Sequence, residues 1–328
     1  MDQGHEKTVR VALCSSGAGF VVWCALGIAT HERWTTLGME WGPQLEIVGF
    51  FLLAPLVLAP LGLALAGPGE GTGDLWRRAV WLQPPAAAGV FASFFLPVGD
   101  LAAALAVPWT LLGATLALCG LKGFASRGFS RWEETCFDAA FVNIAVGAGW
   151  LVASRAGMNP MGFKEPMIVL AAVHFHFAGF TTLVMAGMAG RRLRAWGRPA
   201  WAFYVPVAAA MILSIPLLMA GIATSAETRT VEVPTALLLA ASVTAYALLV
   251  LFAIVPRLRR PVPVILLVLS SGSALLSMHY AVRFALGNWR GVAAVPLPRM
   301  ITLHGFLNAL GFTLCGGVAW ALLGREEK

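Results

Sequence analysis

Ten apolar runs, each close to the length an α-helix needs to cross a bilayer, constrain this chain more than any other feature. They occupy residues 9–30, 44–66, 79–98, 101–121, 135–155, 166–190, 200–224, 233–255, 262–285 and 299–323. A helix rises about 1.5 Å per residue, so roughly 20 apolar residues cover the hydrocarbon core. Backbone groups in lipid must be bonded within the protein, and the runs lack the period-two alternation of a barrel strand. The expected fold is all-α: a polytopic transmembrane helix bundle of about ten helices, forming one integral membrane domain over residues 1–328. Composition agrees, with 59% hydrophobic and 12% charged residues, against about a quarter charged in soluble domains. Lys7 stands before the first run and Arg10 at its start, as basic residues would in a signal peptide. The run is long and no clear small-x-small cleavage site closes it, so it is read as the first span. Pro55 and Pro60 in the second run, and Pro84 and Pro85 in the third, predict kinks.

The net charge of +7 is spread over the loops between runs, so it indicates topology and not a nucleic-acid partner. With the amino terminus cytoplasmic, the inside segments hold Lys7, Arg10, Arg77, Arg78, Lys122, Arg127, Arg131, Arg191, Arg192, Arg194, Arg198, Arg257, Arg259, Arg260, Arg325 and Lys328, sixteen of the 23 basic residues. The outside segments hold the other seven, Arg33, Arg155, Lys164, Arg229, Arg283, Arg290 and Arg299. This bias predicts both termini in the cytoplasm. Trp34, Trp41, Trp76, Trp81, Trp132, Trp150, Trp196, Trp201 and Trp289 lie mostly near expected boundaries, as an interfacial belt requires. Cys14, Cys24, Cys119, Cys136 and Cys315 fall within the runs without CxxC spacing, which supports neither a disulfide framework nor a zinc knuckle.

The concentrated chemistry is four intramembrane histidines: His174 and His176 in the sixth run, His279 in the ninth and His304 in the tenth. Measured from the outer ends at 1.5 Å per residue, His174 and His176 lie about 10 to 14 Å deep, His279 about 10 Å and His304 about 8 Å. A strongly polar side chain in hydrocarbon is costly and usually faces the bundle interior, so four at one depth are expected to face a common interior. Histidine is also the commonest transition-metal ligand. Two residues on a helix stand about 200° apart. His174 and His176 therefore point to opposite walls, and each must find its own partner.

His304 and Asn308 stand four apart, as do His279 and Arg283, which makes Asn308 and Arg283 candidate substrate contacts or supports for the histidines. Gly305, Ala309, Thr313 and Gly317 form a small-residue stripe that permits close helix approach. Asp138 and Asn143 would begin a proton path, although Asp138 with Glu133 and Glu134 suits a helix start. Glu46 with His31, Glu32, Glu40 and Asp100 would form an acidic outer mouth or simply be solvated, and Arg191-Arg192-Leu193-Arg194 is basic enough to meet anionic headgroups, although topology alone accounts for it. The chain has no P-loop, GxSxG, HExxH or Rossmann fingerprint, and Lys122 and Lys164 fall at loops, which leaves a retinal Schiff base unsupported.

AVHFHFAGF at 172–180 and HGFLNALGF at 304–312 resemble the YndJ-like family of bacterial polytopic membrane proteins. The resemblance implies a multi-pass protein of the bacterial cytoplasmic membrane and supplies no mechanism. HFHFA at 174–178 is also similar to the HFHYV stretch of haem-copper oxidase subunit I, where two histidines ligate different haems from opposite helix faces. The adjacent His-His pair and the other copper ligands of that family are missing here. The leading expectation is that His174, His176, His279 and His304 bind a transition metal or haem for redox chemistry on a lipid-soluble substrate. The alternatives are a secondary transporter using them as protonatable substrate contacts, and a cofactor-free membrane enzyme acting on a lipid or isoprenoid.

Overall fold

The computed structural model describes residues 3–36, 43–197, 200–224, 231–292 and 294–324, without the side chains of 3, 30–45 and 224. Arg198, Arg229, Arg325, Lys328, Glu40 and Trp41 lie outside the described residues. The side chains of His31, Glu32, Arg33 and Trp34 do too, and with them most of the expected acidic mouth.

Among the described residues there is no β-strand, and ten long helices follow one another. They are α1 (Gln3–Thr36), α2 (43–66), α3 (Gly73–Ser93), α4 (Asp100–Arg127), α5 (Trp132–Arg155), α6 (Met167–Trp196), α7 (Ala200–Thr224), α8 (Glu232–Arg257), α9 (Pro261–Trp289) and α10 (Leu297–Gly324). All but α3 meet the length and hydropathy of a membrane span; α3 begins with Asp74, Arg77 and Arg78, which lower its mean hydropathy. The chain is a multi-pass membrane protein. Its surface fits a lipid solvent, since side chains as large as Phe203 and Phe252 are 69% and 74% exposed.

Every expected run became a helix, with shifted ends. The third was expected over 79–98 and occupies Gly73–Ser93. Its charged first turn is favourable because Asp74 sits at the positive end of the helix and accepts from Arg77. Pro97 disfavours helix in the residue before it and closes the other end. The helix continues unbroken through Pro84 and Pro85. α6 runs to Trp196 and stops at Gly197, whose φ of +78° suits a residue without Cβ.

The unexpected feature is π-helix. Segments of this wider register lie within α2 (Ala54–Leu58), α6 (Phe175–Thr181), α8 (Val250–Ile254) and α10 (Met300–His304 and Leu307–Leu314). The α2 segment shows how one is accommodated. Ala59 donates to the Ala54 carbonyl, and the next donor in that register would be Pro60, which has no N–H to offer Pro55. Gln83 Nε2 of α3 fills the gap, donating to the Pro55 carbonyl at 2.8 Å. Ser16 of α1 likewise donates to the Val57 carbonyl at 2.9 Å.

The chain divides into two compact units: Met1–Arg127 with Ala140–Phe180, and Gly128–Ala139 with Thr181–Lys328. In the first, Phe51, Trp76, Trp109 and Leu112 are fully buried; in the second, Tyr204, Phe312 and Trp320 are. Trp76 is therefore a core residue and not the belt residue its position implied: its indole donates to the Leu63 carbonyl at 3.2 Å, and its ring stacks on His5.

Candidate functional site

In the first unit α6 carries His174 at the end of its first α-helical stretch and His176 inside the π-helical one. Each ring folds back on its own helix. Nδ1 of His174 donates to the Leu170 carbonyl and Nδ1 of His176 to the Ala172 carbonyl, both at 2.7 Å. A carbonyl only accepts, so these contacts place the hydrogen on Nδ1 and leave Nε2 an acceptor in a neutral ring. His176 uses that acceptor: the indole N–H of Trp109, from α4, reaches its Nε2 at 2.8 Å. The ring is fully buried, with Phe51 edge-on at 5.2 Å. On the α5 side it abuts Gly147, where a Cβ would lie 2.7 Å from Nδ1. His176 is thus a saturated packing residue. His174 is half-buried, and its Nε2 has no hydrogen-bond partner among the described residues.

The first unit also contains a lateral groove of about 900 Å³ between α1, α2 and α3. Its walls are apolar, including Val11, Ala18, Val22, Leu56 and Phe91. Lys7 and Arg10 stand at one end, and Ser15 and Gln83 form a polar spot along its length. Ser15 Oγ donates to Gln83 Oε1 at 2.7 Å, so the amide is held by this bond and by its bond to Pro55. Gly19 lets α1 approach the Leu56 carbonyl so closely that any Cβ there would overlap it.

In the second unit His304 lies in a π-helical stretch of α10 and is clasped to α9. Its Nδ1 is 2.8 Å from Ser277 Oγ and 3.1 Å from the Ser277 carbonyl oxygen. Asn308 Nδ2 donates to Ser277 Oγ and, at 2.9 Å, to the His304 carbonyl. The companion one turn from His304 therefore supports the same interhelical contact. Ala309, Thr313 and Gly317 of the small-residue stripe are buried. Neighbouring glycines also permit close approach, Gly311 to Ser273 and Gly316 to Met185 and Ser270.

His279 departs from the expectation of a shared interior. It and Arg283 are exposed, on the stripe of α9 that carries Ile265, Leu269 and Leu276, themselves 56%, 53% and 49% exposed. Near the end of a spanning helix a long cationic side chain such as that of Arg283 can reach headgroup level without an interior partner. The candidates fall in different units, His174 and His176 in the first, His279, Arg283, His304 and Asn308 in the second. Among the described residues no group of three or more His, Cys, Asp or Glu is placed to hold a metal ion.

Sequence reasoning missed a charged cluster. Arg191 of α6 makes a two-pronged contact with Glu134 of α5, at 2.8 and 2.9 Å, and Arg194 meets Glu133 at 2.8 Å. Arg131 reaches Glu133 at 3.2 Å, and Arg191 also lies over the Phe137 ring, 4.2 Å from its centroid. Arg191 and Arg194, which read in the sequence as topology signals able to meet anionic headgroups, are thus engaged by carboxylates. Asp138 and Asn143 fall in different units, the former in the second and the latter in the first.

A family model described as "YndJ-like protein" matches residues 49–312, a stretch that includes both histidine motifs. A curated relative from Bacillus subtilis (strain 168), named "Uncharacterized membrane protein YndJ", is 28% identical over 219 residues. That match covers 66% of this chain and 38% of the relative, so the chain spans well under half of the relative's length. No solved structure matches the chain.

Proposed function

The chain belongs to the YndJ-like protein family, and from that premise we propose that it is a multi-pass protein of the bacterial cytoplasmic membrane that admits a lipid-soluble, amphipathic molecule sideways into the groove of its first unit. The observation that carries this reading is the groove itself, an apolar trough of about 900 Å³ with one polar spot and a basic end. Sites for small molecules have this size and this pattern of apolar walls with few polar groups. The loop charges orient it, with Lys7 at the cytoplasmic end of α1.

The test is lipid retention. Ala18→Trp and Ala88→Phe, both at exposed positions lining the groove, fill it without touching the packed core. Native mass spectrometry of purified wild type is expected to show retained lipid, lost in both variants while circular dichroism and gel filtration are unchanged. Equal retention in filled and unfilled proteins would sink the reading.

A transition metal or haem, bound for redox chemistry by the four histidines, requires ring nitrogens turned to common space. Both nitrogens of His176 are engaged and His279 faces outward, so the residues do not fit a four-histidine centre. The same engagement weakens the histidines as protonatable contacts of a secondary transporter. The cofactor-free enzyme acting on a lipid or isoprenoid has one observation in its favour: a hydroxyl, Ser277 Oγ, within hydrogen-bond reach of an imidazole, His304. An unaltered membrane lipid profile in cells carrying Ser277→Ala or His304→Ala in place of wild type would count against that second reading.

A further inference from the structure

Resting on the lateral-groove reading, we propose that the groove selects an acidic phospholipid from the leaflet that Lys7 faces, with the phosphate group at Lys7 and Arg10 and one acyl chain along α1 toward Val22.

The first support is charge. α1 and α3 run parallel, since His5 stacks on Trp76 and, two to three turns further, Ser15 bonds Gln83. Their amino-terminal ends therefore lie together, with exposed Lys7 and Arg10 lining the groove's end and exposed Arg77 and Arg78 in the first turns of α3, against Glu6, Glu70 and Asp74 among the described acidic residues there. Arg77 is held by Asp74. Arg10 meets Glu6 only at 3.6 Å, with the two side chains 76% and 60% exposed. A pair so exposed contributes little, and an incoming phosphate competes with it readily. Cations in the headgroup layer attract acidic lipid by about 1 kcal/mol each.

The second support is length. From Lys7 to Val22 the groove follows fifteen residues of α1, about 22 Å at the helical rise. Half of a hydrocarbon core of about 30 Å, together with one headgroup layer, is roughly 20 to 22 Å. The groove thus fits one leaflet from headgroup to chain terminus, whereas a shorter polar anion would leave its apolar length uncovered.

The experiment uses the full chain reconstituted in nanodiscs of equal phosphatidylglycerol and phosphatidylcholine, then released for native mass spectrometry, with Lys7→Gln/Arg10→Gln and Ala18→Trp alongside. Wild type should retain phosphatidylglycerol at least three-fold over the bulk ratio. The double glutamine variant should still retain a lipid, at the bulk ratio, and Ala18→Trp should retain neither. Raising salt from 0.15 to 0.6 M should lower the wild-type enrichment and leave the glutamine variant unmoved. Enrichment that survives in the glutamine variant overturns the acidic-lipid proposal and leaves the groove reading standing. Retention that survives in Ala18→Trp, or wild type holding no lipid, overturns both.

Discussion

The indole N–H of Trp109 meets Nε2 of His176 at 2.8 Å while the other ring nitrogen donates to the Ala172 carbonyl, so one buried ring links α4 to α6 with no hydrogen-bonding capacity left over. Removing one partner leaves the other buried and unpaired, which costs about 1–3 kcal/mol, whereas replacing both by apolar groups is far milder. Trp109→Phe is therefore expected to lower the melting temperature of the detergent-solubilised protein, and Trp109→Phe/His176→Leu to regain part of the loss. A Trp109→Phe protein that melts with wild type would show that the bond contributes nothing.

Gly147 gives a steric counterpart. An alanine methyl there would lie 2.7 Å from His176 Nδ1 and 2.9 Å from Phe175 Cβ, closer than packed atoms tolerate. Gly147→Ala should reduce the monodisperse fraction in gel filtration, and His176→Ala in the same chain should restore part of it. If the second substitution gives no relief, the clash is not with the imidazole.

The α9–α10 clasp should behave as a shared unit. Interhelical hydrogen bonds within membranes average about 0.6 kcal/mol, reaching about 1.7. Because Ser277 Oγ contacts both His304 and Asn308, His304→Ala and Asn308→Ala should each destabilise modestly and together cost less than their sum. His279→Ala, on the outward stripe, should leave the melting temperature within experimental scatter. Strict additivity of the first pair would argue that the two contacts are independent.

At the Glu134–Arg191 contact the carboxylate is the more buried partner, 12% exposed against 35% for the arginine side chain. Arg191→Ala removes the carboxylate's two-pronged contact and leaves it the looser 3.6 Å pairing with Arg131, so its cost should exceed that of Glu134→Ala, with both below the roughly 3–5 kcal/mol of a fully buried pair. Thermal unfolding of the two single variants and the double variant checks the order. A larger loss from Glu134→Ala would reverse the assignment of which charge depends on the other.

The helices were readable because the transfer cost that makes a segment span lipid is summed residue by residue along the chain, and ten runs carried it. Their ends were less so, because α3 is shaped by Asp74 in its first turn and Pro97 beyond its last. The π-helical segments were hidden: the one in α2 depends on Gln83, 28 residues from Pro55. A signal did exist there, since a lone amide in an apolar helix needs a partner. Trp109 offered a similar signal, an indole N–H in the middle of a span. The polarity of His279 misled because depth alone does not say which side of a helix faces out. The repeat of Ile265, Leu269, Leu276, His279 and Arg283 along one helical face did say so. The glutamate–arginine cluster escaped because a charge beside a span reads as topology until tertiary packing turns it toward a partner.

Trp109 and His176 are 67 residues apart in the chain. During synthesis the donor is delivered to the bilayer well before its acceptor, with α5 still to be inserted in between. For that interval the indole needs a temporary acceptor, such as water in the insertion machinery, an interfacial lipid or a chaperone. The pairing is thus also an ordering constraint on biogenesis: a chain that has made α4 but not α6 carries an indole N–H without its native acceptor.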